Sequence, residues 1–160
     1  HAEKFQAMLD KNKGNNRVNH QIIQVNHIGP ETAIMLKEKV DKGELIVTLG
    51  DRTPINSKRR LNYVKFLGEE APFSQGPFIL ASLLECPVYL LFCLKKGQRY
   101  RVYFEHFAER IKLNRKTREP ELQQVIQKFA QRLEYYCLQE PFQWFNFFDF
   151  WQKINGGKNR

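Results

Sequence analysis

No stretch of this 160-residue sequence reaches the ~20 consecutive apolar residues that a membrane-spanning helix needs. The longest apolar run, Val88 to Leu94, is the size of a strand. The N-terminus is polar and helix-like, so no signal peptide is expected. The chain opens on His1 rather than Met, so a fragment or processed product is expected. Cysteine is scarce: Cys86, Cys93 and Cys137 are odd in number and unpaired at short spacing, which excludes a disulfide framework. Buried, reduced thiols in a reducing compartment are the expectation. The four histidines, His1, His20, His27 and His106, have no metal-ligand spacing among themselves or with the cysteines, so no metal or cofactor is expected. A Gly-x-Ser-x-Gly elbow and a glycine-rich phosphate loop are missing too, which removes the usual signals of a serine hydrolase and a P-loop enzyme. There is no internal repeat and no low-complexity segment.

What is present in excess is positive charge and, late in the chain, phenylalanine. Lysine and arginine number 26 against 17 acids, a net charge of +9 that favours anionic partners. Nucleic acid, acidic lipid headgroups and phosphorylated or CoA-like ligands all qualify. Hydrophobic residues at 42% and charged residues at 27% are ordinary for a folded domain, so disorder throughout is excluded. Residues 1–160 are read as a single α/β domain.

The pattern predicts a short helix over Phe5–Leu9 and a strand over Gln21–Val25. Gly29–Pro30–Glu31 then opens a helix, with Pro at its first position, that Gly43 stops. Leu45–Leu49 is continuously apolar and reads as a strand buried on both faces, completing a right-handed βαβ unit. Leu61–Phe66 is a strand, Gly68–Gln75 a loop, and Gly76–Pro77 the start of a helix through Leu84. Val88–Leu94 is another buried strand, turned by Lys96–Gly97–Gln98 into Arg99–Glu105. In that last strand Tyr100, Val102 and Phe104 form the dry face and Arg99, Arg101 and Tyr103 the wet one. Glu119–Cys137 is the clearest helix, with Leu122, Val125, Ile126, Phe129, Leu133, Tyr136 and Cys137 on one stripe. Pro141 stops it, and seven aromatics follow in Phe142–Trp151.

Three places are candidates for chemistry. Asp51, Arg52 and Thr53 lie directly after an apolar run, where α/β sheets carry their sites. The Arg fork suits a phosphate, and a structural ion pair across a turn is an equal alternative. Gly76–Pro77 opens a helix whose free amides suit an anion, although ordinary helix initiation explains the pair as well. Lys58–Arg59–Arg60 is a basic cluster fit for phosphates or headgroups, or simply a solvated loop. The aromatic segment is expected to put one set of rings on the core. The other set, with Trp144 and Trp151, would face a lipid interface or a further part of the protein.

In this order, three sets of residues resemble a known family. The first is Gly43–Glu44 with Gly50–Asp51–Arg52–Thr53–Pro54. The second is Phe66–Leu67–Gly68, Ala71–Pro72–Phe73, Gly76–Pro77 and Cys86–Pro87–Val88. The third is Pro141 with Gln143 to Trp151. Together they resemble the lipid A biosynthesis (late) acyltransferase branch of the lysophospholipid acyltransferase superfamily, and in flavour its relatives in aryl-polyene gene clusters. The resemblance implies an α/β fold with a mixed, mostly parallel sheet flanked by helices, of which this chain is the C-terminal portion. It implies an enzyme peripheral to the cytoplasmic face of a bacterial inner membrane, in lipid A and lipopolysaccharide metabolism. Such an enzyme moves a fatty acyl chain from acyl-ACP or acyl-CoA to a hydroxyl of a lipid A-like or glycolipid acceptor. Asp51, Arg52 and Thr53 would hold acceptor groups, Gly76 and Pro77 would shape the acyl pocket, and an anionic membrane rather than nucleic acid would be the large partner.

The family's base is a His-x4-Asp/Glu pair, in which the carboxylate orients the imidazole that deprotonates the acceptor hydroxyl. Five residues after the four histidines stand Gln6, Val25, Thr32 and Ile111, none of them acidic. No residue here is therefore expected to be catalytic, and the chain alone is expected to be inactive. The alternative from another class is a non-catalytic basic module that binds nucleic acid or a partner protein.

Overall fold

The computed structural model describes residues 29–52 and 60–151. Helix α1 spans Pro30–Asp41. Strands β1, Leu61–Phe66, and β2, Glu69–Ser74, precede helix α2, Gly76–Leu84. Strands β3, Val88–Lys96, and β4, Arg99–Ala108, lead to helix α3, Arg118–Gln139, and a 3-10 turn at Pro141–Gln143. The expected strand Gln21–Val25 and helix Phe5–Leu9 lie outside the described residues.

The sheet corrects the expected architecture. Among the described residues there are two antiparallel two-stranded sheets, β1–β2 and β3–β4, and no mostly parallel sheet. The reason is local. Phe66 pairs with Glu69 across Leu67–Gly68, and both loop residues have positive φ, the two-residue turn whose twist suits a hairpin. Leu67 is a costly residue for that conformation, at φ 51°. Its amide is held by the Glu134 carboxylate at 2.7 Å. Lys96 pairs with Arg99 across Gly97–Gln98, with Gly97 at φ 60°. The segment expected as a loop after Gly68 is therefore β2. Its Pro72 fits an edge strand, where no ladder amide is needed.

Helix α3 organises the rest. Leu122, Ile126, Phe129, Leu133, Tyr136 and Cys137 recur on one face and are buried, as the stripe predicted. A neighbouring face closes the open edge of β1 with side-chain amides. Gln127 donates to the Lys65 carbonyl and accepts from the Lys65 amide, both at 2.9 Å. One turn earlier Gln123 donates to the Tyr63 carbonyl at 2.7 Å. These contacts satisfy backbone groups that a third strand would otherwise take. The main core then gathers Val64, Phe66, Phe73, Phe78, Leu122, Ile126, Phe129 and Phe150.

Leu45–Leu49 is a second correction. It belongs to no ladder among the described residues, and Leu45, Val47 and Leu49 are exposed. Only Ile46 tucks against the small cluster of Leu36, Leu80 and Leu84 between α1 and α2. The start of this segment is fixed by the end of α1. Gly43, at φ 81°, lets its amide reach the Val40 carbonyl and the Glu44 amide reach the Lys39 carbonyl, a Schellman stop.

The β3–β4 hairpin is turned over relative to expectation. Tyr100, Val102 and Phe104 are exposed, with Tyr89, Leu91 and Cys93 beside them. Tyr103 and Glu105 face α3 instead. Arg132 makes two hydrogen bonds to the Glu105 carboxylate, at 2.7 and 2.9 Å, and the Tyr136 hydroxyl donates to the same carboxylate. The Tyr136 ring stacks on Phe92 at 4.2 Å. This polar cluster draws Tyr103 and Glu105 inward and leaves Tyr100, Val102 and Phe104 outward, while Arg99 and Arg101 stay exposed. Cys93 is thereby exposed, against the expectation of a buried thiol.

That cluster makes stability pH-dependent. The Arg132 hydrogen bonds, then the Tyr136 hydroxyl, hold the Glu105 carboxyl below its ordinary value. A lowered folded-state pKa contributes stability above the unfolded value, about 4.3, that is lost as pH falls through the folded one. Unfolding free energies from urea titration of wild type and Glu105→Gln should differ by about 1 kcal/mol at neutral pH, and the gap should close in acid. A gap that stays constant below pH ~3 would show that the carboxylate contributes only shape. Burial, and next the Glu105 hydrogen bond, push the Tyr136 hydroxyl up to about 12. Its contribution is complete below the ordinary tyrosine value and lost only as pH rises through that figure.

Candidate functional site

Asp51 and Arg52 follow the Leu45–Leu49 segment and are placed by Gly50. A Cβ built on Gly50 would lie 2.7 Å from Phe129 Cζ, so the backbone passes flat over that ring and only glycine fits. Phe129 is itself wedged between Phe73 and Phe78, with ring centroids 6.0 and 5.5 Å away. The loop that carries Asp51 and Arg52 is thus seated on the core.

Both side chains reach the aromatic segment. The Trp144 indole N–H donates to Asp51 Oδ2 at 3.2 Å. The two terminal nitrogens of Arg52 donate to Asn146 Oδ1 at 3.4 Å and to the Phe145 carbonyl at 3.2 Å. Arg52 Nε stands 3.8 Å from Asp51 Oδ1. Asp51 is the less exposed partner, with 20% of its side chain open against 40% for Arg52. The guanidinium therefore has a fixed orientation and an open side. Such an arrangement can present unused N–H groups to a phosphate or carboxylate. Burial, and next the charge of Asp51, push the nearby Cys137 thiol up to about 11, so it stays a neutral thiol here.

The remaining candidates divide. Thr53, Pro54, Lys58 and Arg59 lie outside the described residues, and Arg60 is exposed at the start of β1. Gly76 and Pro77 begin α2 as expected. The Gly76 amide donates to Ser74 Oγ at 3.3 Å, and the Phe78 and Ile79 amides go to the Gln75 carbonyl. The first turn is thus already supplied with acceptors, and no described hydrogen bond links it to Asp51 or Arg52. Trp144 and Trp151 are half-buried, and both rings pack on Phe66, at 5.1 and 6.1 Å. His106 Nε2 stands 3.2 Å from the Glu109 carboxylate on an open surface. An open groove of about 520 Å³ between α1 and α2 is lined by Pro30, Ala33, Ile34, Lys37 and Leu83, and shares no residue with the Asp51–Arg52 loop.

Asn146 is the site residue that sequence reasoning missed. Its only signal is an amide, one of two with Gln143, in a run of aromatic rings. Its Nδ2 and the Trp151 indole nitrogen are buried and have no hydrogen-bond partner among the described residues.

No family model matches this sequence, and no curated protein or solved structure matches it either.

Proposed function

We propose that this chain is the acceptor-holding part of an acyltransferase. It would act at a membrane surface, moving a fatty acyl group from acyl-ACP or acyl-CoA to a hydroxyl of a lipid A-like or glycolipid acceptor. One observation carries the reading. Two of the three sets of residues that resemble the late acyltransferases, 93 residues apart in sequence, meet through Asp51–Trp144 and Arg52–Phe145. The meeting point leaves an oriented guanidinium half open, suited to an anionic group of the acceptor. The Trp144 indole and Asn146 amide fix Asp51 and Arg52 in turn, so their role is to position that acceptor. The apolar groove beside α1 offers a lining for an acyl chain. No described helix is long and apolar enough to cross a membrane.

The sequence holds no His-x4-Asp/Glu pair to act as the general base of such a reaction. The 160-residue chain assayed alone with acyl-ACP or acyl-CoA should therefore give no protein-dependent turnover. In a polypeptide that joins this chain to a His-x4-Asp/Glu pair, Arg52→Ala should lower turnover about 10- to 100-fold while the far-UV spectrum is unchanged. Turnover by the isolated chain would place the base within it. Full activity in both Arg52→Ala and Asp51→Ala would reduce the pair to a structural turn.

A further inference from the structure

The geometry points to a membrane-docking tip built from the phenylalanines of residues 142–148 and the cations of the β3–β4 turn, seated on an anionic bilayer. This rests on the membrane placement in the acyl-transfer reading and names the surface that would meet lipid. Four rings in this short stretch are open to solvent: Phe142 96%, Phe147 91%, Phe145 63% and Phe148 46%. They are not a frayed end. Gln143, between Phe142 and Trp144, pairs both ways with the Lys95 backbone, at 2.6 and 2.8 Å. Trp144 and Phe150 pack on Phe66, and Arg52 grips the Phe145 carbonyl and Asn146. Because Gln143, Trp144, Asn146 and Phe150 are held inward, the intervening phenylalanines are held outward on a fixed backbone.

The tether to Lys95 sets these rings beside a basic turn. Lys95, Lys96, Arg99 and Arg101 surround Gly97–Gln98, and Tyr100, opposite Lys95, is exposed among them. Nearby acids are few. Glu140 is paired with Lys96, Asp51 faces Arg52 and the Trp144 indole, and Asp149 stands exposed. Rings that insert at the headgroup level, with cations around them for acidic lipid, are the composition of an interfacial contact. A second copy of the same tip would bring Lys95, Arg99 and Arg101 against their equivalents, and like charges oppose it. The indoles of Trp144 and Trp151 take part only as anchors from below.

The test is sedimentation of the full 160-residue chain with phosphatidylcholine vesicles, with and without phosphatidylglycerol. Wild type should pellet with the anionic vesicles, less so as salt rises. Phe142→Ser with Phe147→Ser should weaken binding about tenfold or more, and the exposed positions should leave the thermal midpoint unchanged. Lys95→Gln with Arg99→Gln should weaken it and flatten the salt dependence. Pelleting of the double-serine chain at the wild-type level overturns the proposal, as does equal binding to neutral vesicles. So does a wild type that ignores anionic vesicles, including one that instead forms a dimer that the serine variant abolishes. None of these results bears on the Arg52→Ala turnover test, and an inert Arg52→Ala result leaves vesicle binding untouched.

Discussion

Phe66→Ala should destabilise the protein by about 3–5 kcal/mol, the largest single effect expected of any ring in the chain. Phe66 is fully buried, and its centroid lies within 6.1 Å of four others: Phe73, Trp144, Phe150 and Trp151. Removing it leaves a cavity at the junction of the first hairpin and the aromatic segment, where large neighbours cannot collapse inward without moving backbone. The Trp144 indole then loses the surface that aims it at Asp51. Urea unfolding followed by circular dichroism gives the stability change, and the emission of the two tryptophans should shift to the red in the folded variant. A loss under about 1 kcal/mol would mean that the rings are not the keystone of this core.

Gly50→Ala is the second. The new methyl would overlap Phe129 Cζ and crowd both Cε atoms, and Phe73 and Phe78 block the ring from swinging aside. A cost of about 1–3 kcal/mol is expected from overpacking of this kind. The diagnostic is non-additivity. Gly50→Ala combined with Phe129→Leu should cost less than the two single changes together, because the smaller side chain makes room for the methyl. Additive losses would show that the glycine is needed for backbone freedom and not for close approach.

These two residues mark the boundary between what the sequence discloses and what it hides. Helix α3 was legible because its apolar residues repeat at helical spacing from Leu122 to Cys137, and no strand produces that pattern. The start of α2 was legible from Gly76–Pro77, and the β3–β4 hairpin from Lys96–Gly97–Gln98. The sheet order was not. A run such as Leu45–Leu49 has the composition of a strand buried on both faces, yet composition carries no information about a partner strand. Val88–Leu94 misled in the same way, since Leu91 and Cys93 point to solvent while Leu90 and Leu94 are buried. The apolar face of β4 was assigned inward because Tyr100, Val102 and Phe104 alternate with Arg99, Arg101 and Tyr103, and nothing local shows that the face of Glu105 packs on α3. Arg132 and Tyr136, which draw it in, lie 27 and 31 residues further on. The site was half visible. Asp51 and Arg52 stood out by position, but Trp144 and Asn146 are brought to them by tertiary packing alone.

The glutamines that close the edge of β1 have a consequence in the time order of folding. Each hairpin closes over a two-residue loop, a local event on the microsecond scale. The Gln123–Tyr63 contact spans 60 residues and Gln127–Lys65 spans 62, so it forms only after a long loop has closed. Until α3 arrives, the outer edge of β1 stands unpaired and is a template for another chain. Refolding yield at high concentration is therefore governed by how soon this helix docks, although the edge it protects belongs to a strand formed much earlier.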